Sequence, residues 1–314
     1  YLLAFTAGLL PTVAFQMTGA ALVSEWFSRR RGLMQGLRMG IAGVGGIVAG
    51  VVLPPVVEAG GWQLGFQVVG VVTVAVAVAA GTLLIRSRPA EVGLYAYGSH
   101  DPQEEAEDGD GSGLVASAAV RTPQFVALVA GLTCFSGIMA MQQHFPSLMA
   151  DRGLDLTAAG SLLSLLSVVN VVTTLLLGGL SDRRGPLVAY LLSGVLLVAA
   201  LGLMLVTVGY PAQTAAVLLY SVPAVTPPIL TPILLRATVG GRAFVPLLGV
   251  ATATMPAGIA IGSPLWGLSK DLTGSYATAL LAAAVLAVLA VALVSYALAT
   301  GPRLWRPAAQ DLTV

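Results

Sequence analysis

Gly178-Gly179-Leu180-Ser181-Asp182-Arg183-Arg184-Gly185 is a short charged stretch set deep inside a very apolar chain. Apolar runs at about 158–180 and 187–208 flank it, and each is long enough to cross a bilayer, which takes roughly 20 residues. An Asp, two Arg and flanking glycines between two such runs predict a tight charged hairpin at a water interface. The carboxylate of Asp182 can there face the positive amino end of a neighbouring helix, a contact worth about 0.3–1 kcal/mol.

The composition agrees with a lipid solvent. Hydrophobic residues make up 57% of the 314 and charged residues 9%, against roughly a quarter charged in soluble domains. Nine apolar runs are expected to span, at about 3–25, 33–56, 62–85, 124–147, 158–180, 187–208, 212–235, 245–268 and 277–299. Backbone inside lipid must satisfy its own hydrogen bonds, so these runs are expected to be helices. Their strong, non-alternating hydrophobicity excludes a barrel. The fold class is therefore all-α, a polytopic membrane helical bundle.

The basic residues fall on alternate connections. Arg29, Arg30, Arg31, Arg86, Arg88, Arg121, Arg183, Arg184, Arg236, Arg242, Arg303 and Arg306 share one side, against only Arg152 and Lys270 on the other. Short cytoplasmic loops collect Lys and Arg. The first side is thus expected to be cytoplasmic, with the C-terminus, in the plasma (inner) membrane. The stretch 89–122 carries Glu91, Asp101, Glu104, Glu105, Glu107, Asp108 and Asp110 with Gly and Ser. Such a composition cannot build a core, and it is expected to be a disordered cytoplasmic linker. It separates residues 1–88, with three spans, from 123–314, with six. The chain opens at Tyr1 inside an apolar run, and the simplest expectation is a protein that continues upstream.

The Gly178–Gly185 stretch resembles the G-x-L-a-D-r-x-G signature loop of the major facilitator superfamily. Further segments resemble that family in the expected order: Glu25-Trp26-Phe27-Ser28-Arg29-Arg30-Arg31-Gly32, Gly61-Trp62-Gln63-Leu64-Gly65-Phe66, Arg88-Pro89-Ala90-Glu91-Val92-Gly93-Leu94, Asp151-Arg152-Gly153-Leu154 and Asp271-Leu272-Thr273-Gly274-Ser275-Tyr276. Gln63 stands where the family usually has Arg. The resemblance implies a twelve-helix fold of which helices four to twelve are visible, and a secondary transporter working by alternating access. Its flavour is that of the monocarboxylate and oxalate/formate group. It also implies roles. Asp182, Arg183, Arg29 and Arg236 belong to a cytoplasmic gate. Glu25 matches an acidic residue that closes helix four and pairs with a basic residue outside this sequence.

Arg38 lies about two turns into the second span. A charge there costs several kcal/mol by most scales unless it faces protein or a wet cavity. It reads either as an anion-binding or gate residue, or as a side chain snorkelling to the nearby surface. Gly36, Gly40, Gly43, Gly45, Gly46 and Gly50 in the same span, and Ala253, Ala257, Gly258 and Gly262 later, are smooth faces for close helix approach. Gln142, Gln143 and His144 form a polar cluster before Pro146, read as substrate or coupling groups or as satisfied hydrogen-bonding residues. Asn170 and Thr174 are polar positions in the fifth span, and Gln16 in the first and Tyr220 with Ser221 in the seventh belong to helices four and ten, which line the cavity in this family. Thr173 and Thr174 stand where the monocarboxylate group usually has an Arg that binds carboxylate. They also read as threonines bonded back to their own helix.

No carboxylate is expected at midplane depth. No phosphate-binding G-x-x-x-x-G-K stretch, metal-ligand spacing or nucleophile–His–acid set is present, so no cofactor, metal, catalytic residue or nucleic-acid partner is expected. The partners expected are a small solute, the lipid bilayer, and a coupling proton or counter-substrate. The leading reading is a transporter of a small organic solute. Arg38 favours a monocarboxylate-like anion, and the Thr173-Thr174 departure favours a neutral or drug-like efflux substrate. A non-transporting sensor on the same fold is the second reading, and a membrane-embedded enzyme lacks the polar cluster it would need.

Overall fold

In a computed structural model the chain is described over residues 18–86, 88–98 and 113–304. Among the described residues nine helices of seven residues or more carry it: α1 Thr18–Trp26, α2 Arg31–Ala79, α3 Pro123–Met139, α4 Phe145–Asp151, α5 Leu156–Arg184, α6 Pro186–Val206, α7 Tyr210–Val239, α8 Phe244–Thr273 and α9 Ala277–Thr300. Seven helices among the described residues are long and apolar enough to cross a membrane: Gln63–Thr82, Pro123–Asp151, Ala158–Arg184, Pro186–Val206, Tyr210–Val239, Phe244–Thr273 and Ala277–Thr300. The expected span 33–56 is helical throughout, as the first limb of α2. Most of the expected span 3–25 lies outside the described residues, and α1 is its last part.

Helix α2 is a hairpin. Were it straight, Arg86 would lie about 80 Å from Arg31 at roughly 1.5 Å per residue. Instead the Trp26 indole N–H donates to the Arg86 carbonyl at 3.0 Å. The chain reverses where the helix loses its geometry, at Gly60 (φ −142°) and Gly61 (φ +76°). Gly61 occupies a conformation other residues rarely adopt. Each limb, about 35–45 Å long by the same rise, can cross a hydrocarbon core of roughly 30 Å. The returning limb is largely unburied, with Val69, Val71, Val72, Val74, Val76 and Val78 exposed.

Residues 123–304 form a bundle whose apolar core continues onto Ala20 of α1. Thr122 caps α3, accepting from the Phe125 amide at 3.2 Å, with Pro123 in the first turn. Asp155 caps α5 in the same way, at 2.7 Å from the Ala158 amide. Gly185 (φ +88°) ends α5, and Pro186 opens α6. The core is apolar and centred on α3, α6 and α7, with Leu128, Phe135, Ile138, Phe145, Tyr190 and Tyr220 fully buried. Phe135 and Tyr190 meet at 5.4 Å and Phe145 and Tyr220 at 4.9 Å between ring centroids. Four prolines lie inside α7; each removes one helical hydrogen bond. Thr226 there bonds across to Ser193 of α6 at 2.7 Å.

The leading hairpin meets this bundle mainly along α5, with further contact to α7. That places the Gly178–Gly185 stretch at the foot of the seam between the two groups of helices.

Candidate functional site

The seam is built from glycine. Gly32, Gly36 and Gly40 stand one helical turn apart on the first limb of α2, facing Gly178 and Thr174 of α5. A methyl group on Gly32 or Gly178 would collide with the other's carbonyl, and one on Gly36 would collide with the Thr174 carbonyl. Gly43 follows against Val171, where an added carbon would sit 3.0 Å from the side chain. Three of the expected small residues, Gly36, Gly40 and Gly43, thus face α5. Gly258 and Gly262 instead pack against Gly137 within the later bundle.

Asp182 closes the seam at its water-facing end. Its carboxylate accepts from the backbone amides of Gly32 and Leu33, both at 2.7 Å. These are first-turn amides of α2, which have no partner within their own helix. The negative charge meets both the donors and the positive end of the helix dipole. Asp182 is itself exposed, so water and salt screen the contact and keep it breakable. Arg183 and Arg184 are exposed beside it in the last turn of α5. Glu25 is half-buried in the last turn of α1, and Arg29 is exposed in the connection to α2. Arg236 ends α7 with its guanidinium 5.8 Å from the centre of the Phe244 ring.

Arg38 does not reach the seam's far side. It leans on α1, where a methyl group added to Gly19 would sit 2.8 Å from a guanidinium nitrogen. Its Nε donates to Gln35 Oε1 at 3.0 Å, and Gln35, buried, donates in turn to the Ala20 carbonyl at 3.1 Å. Gln35 therefore sets the direction of Arg38. The i, i+3 spacing of the pair was the sequence signal for it.

The α3 helix tightens to a 3₁₀ turn over Ala140–His144 before α4 continues the span. Gln142, half-buried, and Gln143, exposed, lie in this break. His144 is anchored at both nitrogens. Nε2 lies 2.9 Å from the Ser263 carbonyl, which can only accept, so this nitrogen carries the proton. Nδ1 then accepts from the Tyr276 hydroxyl at 3.3 Å. The Ser263 hydroxyl donates to Gln143 Oε1 at 3.0 Å. Lys270 pairs with Asp151 and stands 5.0 Å from the centre of the Tyr276 ring. Gln143 and His144 are thus joined to α8 and the start of α9, and the ion pair between the last turns of α4 and α8 was not visible in the sequence.

The remaining expected positions are tied down within the later bundle. Tyr220, fully buried, donates to the Met139 carbonyl at 3.3 Å, where the 3₁₀ turn begins. Asn170, with its amide turned to suit its neighbours, donates to the carbonyls of Ser221 at 3.2 Å and Leu166 at 3.3 Å. Thr173 bonds to the Val169 carbonyl at 2.8 Å and lies 3.4 Å from the Ser221 hydroxyl. Thr174 bonds to the Val171 carbonyl at 2.7 Å, and a carbon added to Gly40 would lie 3.6 Å from its hydroxyl. It alone of this group faces the leading hairpin. Gln16 lies outside the described residues. Among the described residues no group of His, Cys, Asp and Glu is arranged to hold a metal ion.

Apolar spans in two packed groups, with a carboxylate of one group seated on the first turn of a helix in the other, define an all-α polytopic membrane protein. The chain belongs to the Major Facilitator Superfamily, whose family model matches residues 1–245. That is a family of membrane transporters, not of enzymes. Among solved structures, a variant of the E. coli fucose:proton symporter FucP is similar, with a TM-score of 0.66 and 15% identity over 94% of this chain and 75% of that one. At that identity the likeness shows the fold. No curated protein sequence matches the chain.

Proposed function

We propose that the chain moves a small organic solute across the plasma (inner) membrane by alternating access, between an N-terminal half of residues 1–88 and a C-terminal half of 123–314 joined by the linker 89–122. The observation that carries this reading is the α2–α5 seam. The α2 face there is bare at Gly32, Gly36, Gly40 and Gly43, so no α2 side chain at these positions interlocks with α5, and the latch, Asp182 on the Gly32 and Leu33 amides, is a screened contact at water. The basic face around Arg29, Arg183, Arg184 and Arg236 is the cytoplasmic one, and the seam is its gate. The solute site lies above the gate near the midplane, as secondary transporters place it. Its candidate side chains are Arg38, Thr174, Asn170, Tyr220, Gln142, Gln143, His144 and Gln16. An organic anion of the monocarboxylate kind fits Arg38, held in place by Gln35. A neutral or effluxed solute is the second reading, favoured by Thr173-Thr174 at the family's anion-binding position. The coupling partner is a proton or a counter-substrate.

A disulfide across the seam tests the mechanism. Gly40→Cys with Thr174→Cys, in a Cys134→Ala background, sets the two cysteines facing each other, since a carbon added to Gly40 would lie 3.6 Å from the Thr174 hydroxyl oxygen, whose place the second sulfur takes. Oxidation should stop uptake of a radiolabelled solute into proteoliposomes, and reductant should restore it. Unchanged uptake with the disulfide formed would end the gate reading. A panel of organic acids and neutral solutes, measured with Arg38→Gln, separates the two solute classes. A tenfold or larger rise in KM confined to acids supports the anion.

A further inference from the structure

The connection between the two groups of helices is docked at both of its described ends. At the first end, the Tyr97 amide donates to the Trp26 carbonyl at 2.8 Å. The Tyr97 carbonyl accepts from the amides of Ser28 at 3.1 Å and Arg29 at 3.2 Å, and from the Ser28 hydroxyl at 3.1 Å. The result is a parallel bridge between Phe27 and Tyr97, with the two rings 5.9 Å apart. Gly98 lies flat on the Arg29 side chain, where an added carbon would come within 2.5 Å of Cγ. At the other end, an antiparallel bridge joins Gly113 to Gly240, and the Leu114 amide donates to the Val239 carbonyl at 3.1 Å. A carbon added to Gly113 would lie 2.7 Å from that same carbonyl.

The two loops so engaged are not arbitrary. Residues 27–30 lead directly into α2, whose Gly32 and Leu33 amides hold Asp182. Residues 240–243 lead into α8. Three backbone or hydroxyl donors of residues 28 and 29 thus converge on one carbonyl of the connection, within four residues of the latch. The local backbone there is costly to hold: Arg30 has φ +60°, a left-handed conformation about 1–2 kcal/mol unfavourable for a residue with a side chain.

We propose that the connection is a working part of the gate: docked at Tyr97, it holds residues 28–30 so that the first-turn amides of α2 stay aimed at Asp182. Undocking it releases the latch without touching it. Tyr97 and Gly98 are positioning residues in this scheme, acting through Ser28 and Arg29.

This rests on reading Asp182 as a gate latch, and the test keeps the two apart. Ser181→Cys in a Cys134→Ala background places a thiol at the buried foot of the seam, and its rate of labelling by a water-soluble maleimide reports gate opening without any substrate. Asp182→Asn should raise that rate several-fold; no change would overturn the latch reading itself. Tyr97→Pro deletes the amide that bonds Trp26 and should raise the rate to a similar level. The double variant should add little to either single one, because both release the same contact. Gly98→Val, which drives a side chain into Arg29, should act like Tyr97→Pro, and Tyr97→Phe should label like the parent. If Asp182→Asn accelerates labelling while Tyr97→Pro and Gly98→Val, both monodisperse, leave it unchanged, the connection has no part in the gate. Full additivity in the double variant would equally overturn the proposal.

Discussion

Two glycine seams run through this molecule, and they differ in what closes them. Between α2 and α5, Gly32, Gly36 and Gly40 meet Gly178 and Thr174, and the seam ends on the exposed Asp182 carboxylate. Between α3 and α8, Gly258 and Gly262 meet Gly137, and the seam is closed by the buried Trp266 indole, which donates to the Gly137 carbonyl at 2.8 Å. The packing principle is shared: small residues let backbones approach closely where lipid supplies no hydrophobic drive. The closures have opposite consequences. Breaking the Trp266 bond would strand a donor and a carbonyl away from water, at a cost of roughly 1–3 kcal/mol. Releasing Asp182 only exchanges two amides for water. On the proposed gate reading, one seam stays shut and the other opens.

Side chains introduced at matched positions should break the comparison most sharply. Gly258→Val drives a branched side chain into the Thr133 carbonyl. It is expected to destabilise the later bundle by about 3 kcal/mol or more, seen as loss of monodisperse protein and a fall of several degrees in Tm. Gly36→Val makes an equally severe clash with Thr174, but across the breakable seam. Its Tm should move much less, while transport falls at least tenfold because the face no longer closes. Equal losses of Tm in the two variants would erase the distinction. Trp266→Phe keeps the ring and deletes the N–H, and should cost about 1–3 kcal/mol of stability without changing maleimide access to the Asp182 face. The smallest effect is expected from Arg30→Gly. It relieves the positive φ at the entry to α2 and should change stability by under about 1 kcal/mol, with transport retained. A large loss would mean that the Arg30 side chain itself acts at the gate.

The polar cluster at the opposite end shows how much of a side chain's setting comes from distant parts of the chain. Gln142, Gln143 and His144 read as a solute or coupling site, and they do fall at a break in a span, over Ala140–His144. Yet His144 has both nitrogens engaged, by Ser263 and Tyr276, and Gln143 is bonded to Ser263. Those partners lie about 120 residues away, beyond any local pattern. Tyr220 likewise looked like a cavity-lining hydroxyl and is fully buried, bonded to Met139. Thr174 and Asp182, in contrast, both contact the first limb of α2. They lie on the face of α5 that meets α2, and helical spacing ties the two together.

The sequence by itself determined the solvent, the helical class and the family. Those follow from hydropathy summed over windows of about 20 residues, from the ban on unsatisfied backbone in lipid, and from the Gly178–Gly185 stretch with its companions in order. It also determined that Asp182 would seek a helix amino end, because a carboxylate in a glycine-flanked turn has few better partners. Which helix that is was decided only by tertiary structure. So was the pairing of Gly36 with Thr174 rather than with another small residue, the packing of Arg38 against Gly19, and the docking of Tyr97 beside the latch. Small residues carry no information about their partner, since any two smooth faces fit. Only the packing of whole helices, fixed by the hairpin at Gly60–Gly61 and the capped ends around it, selects one pair of faces from the many the sequence allows.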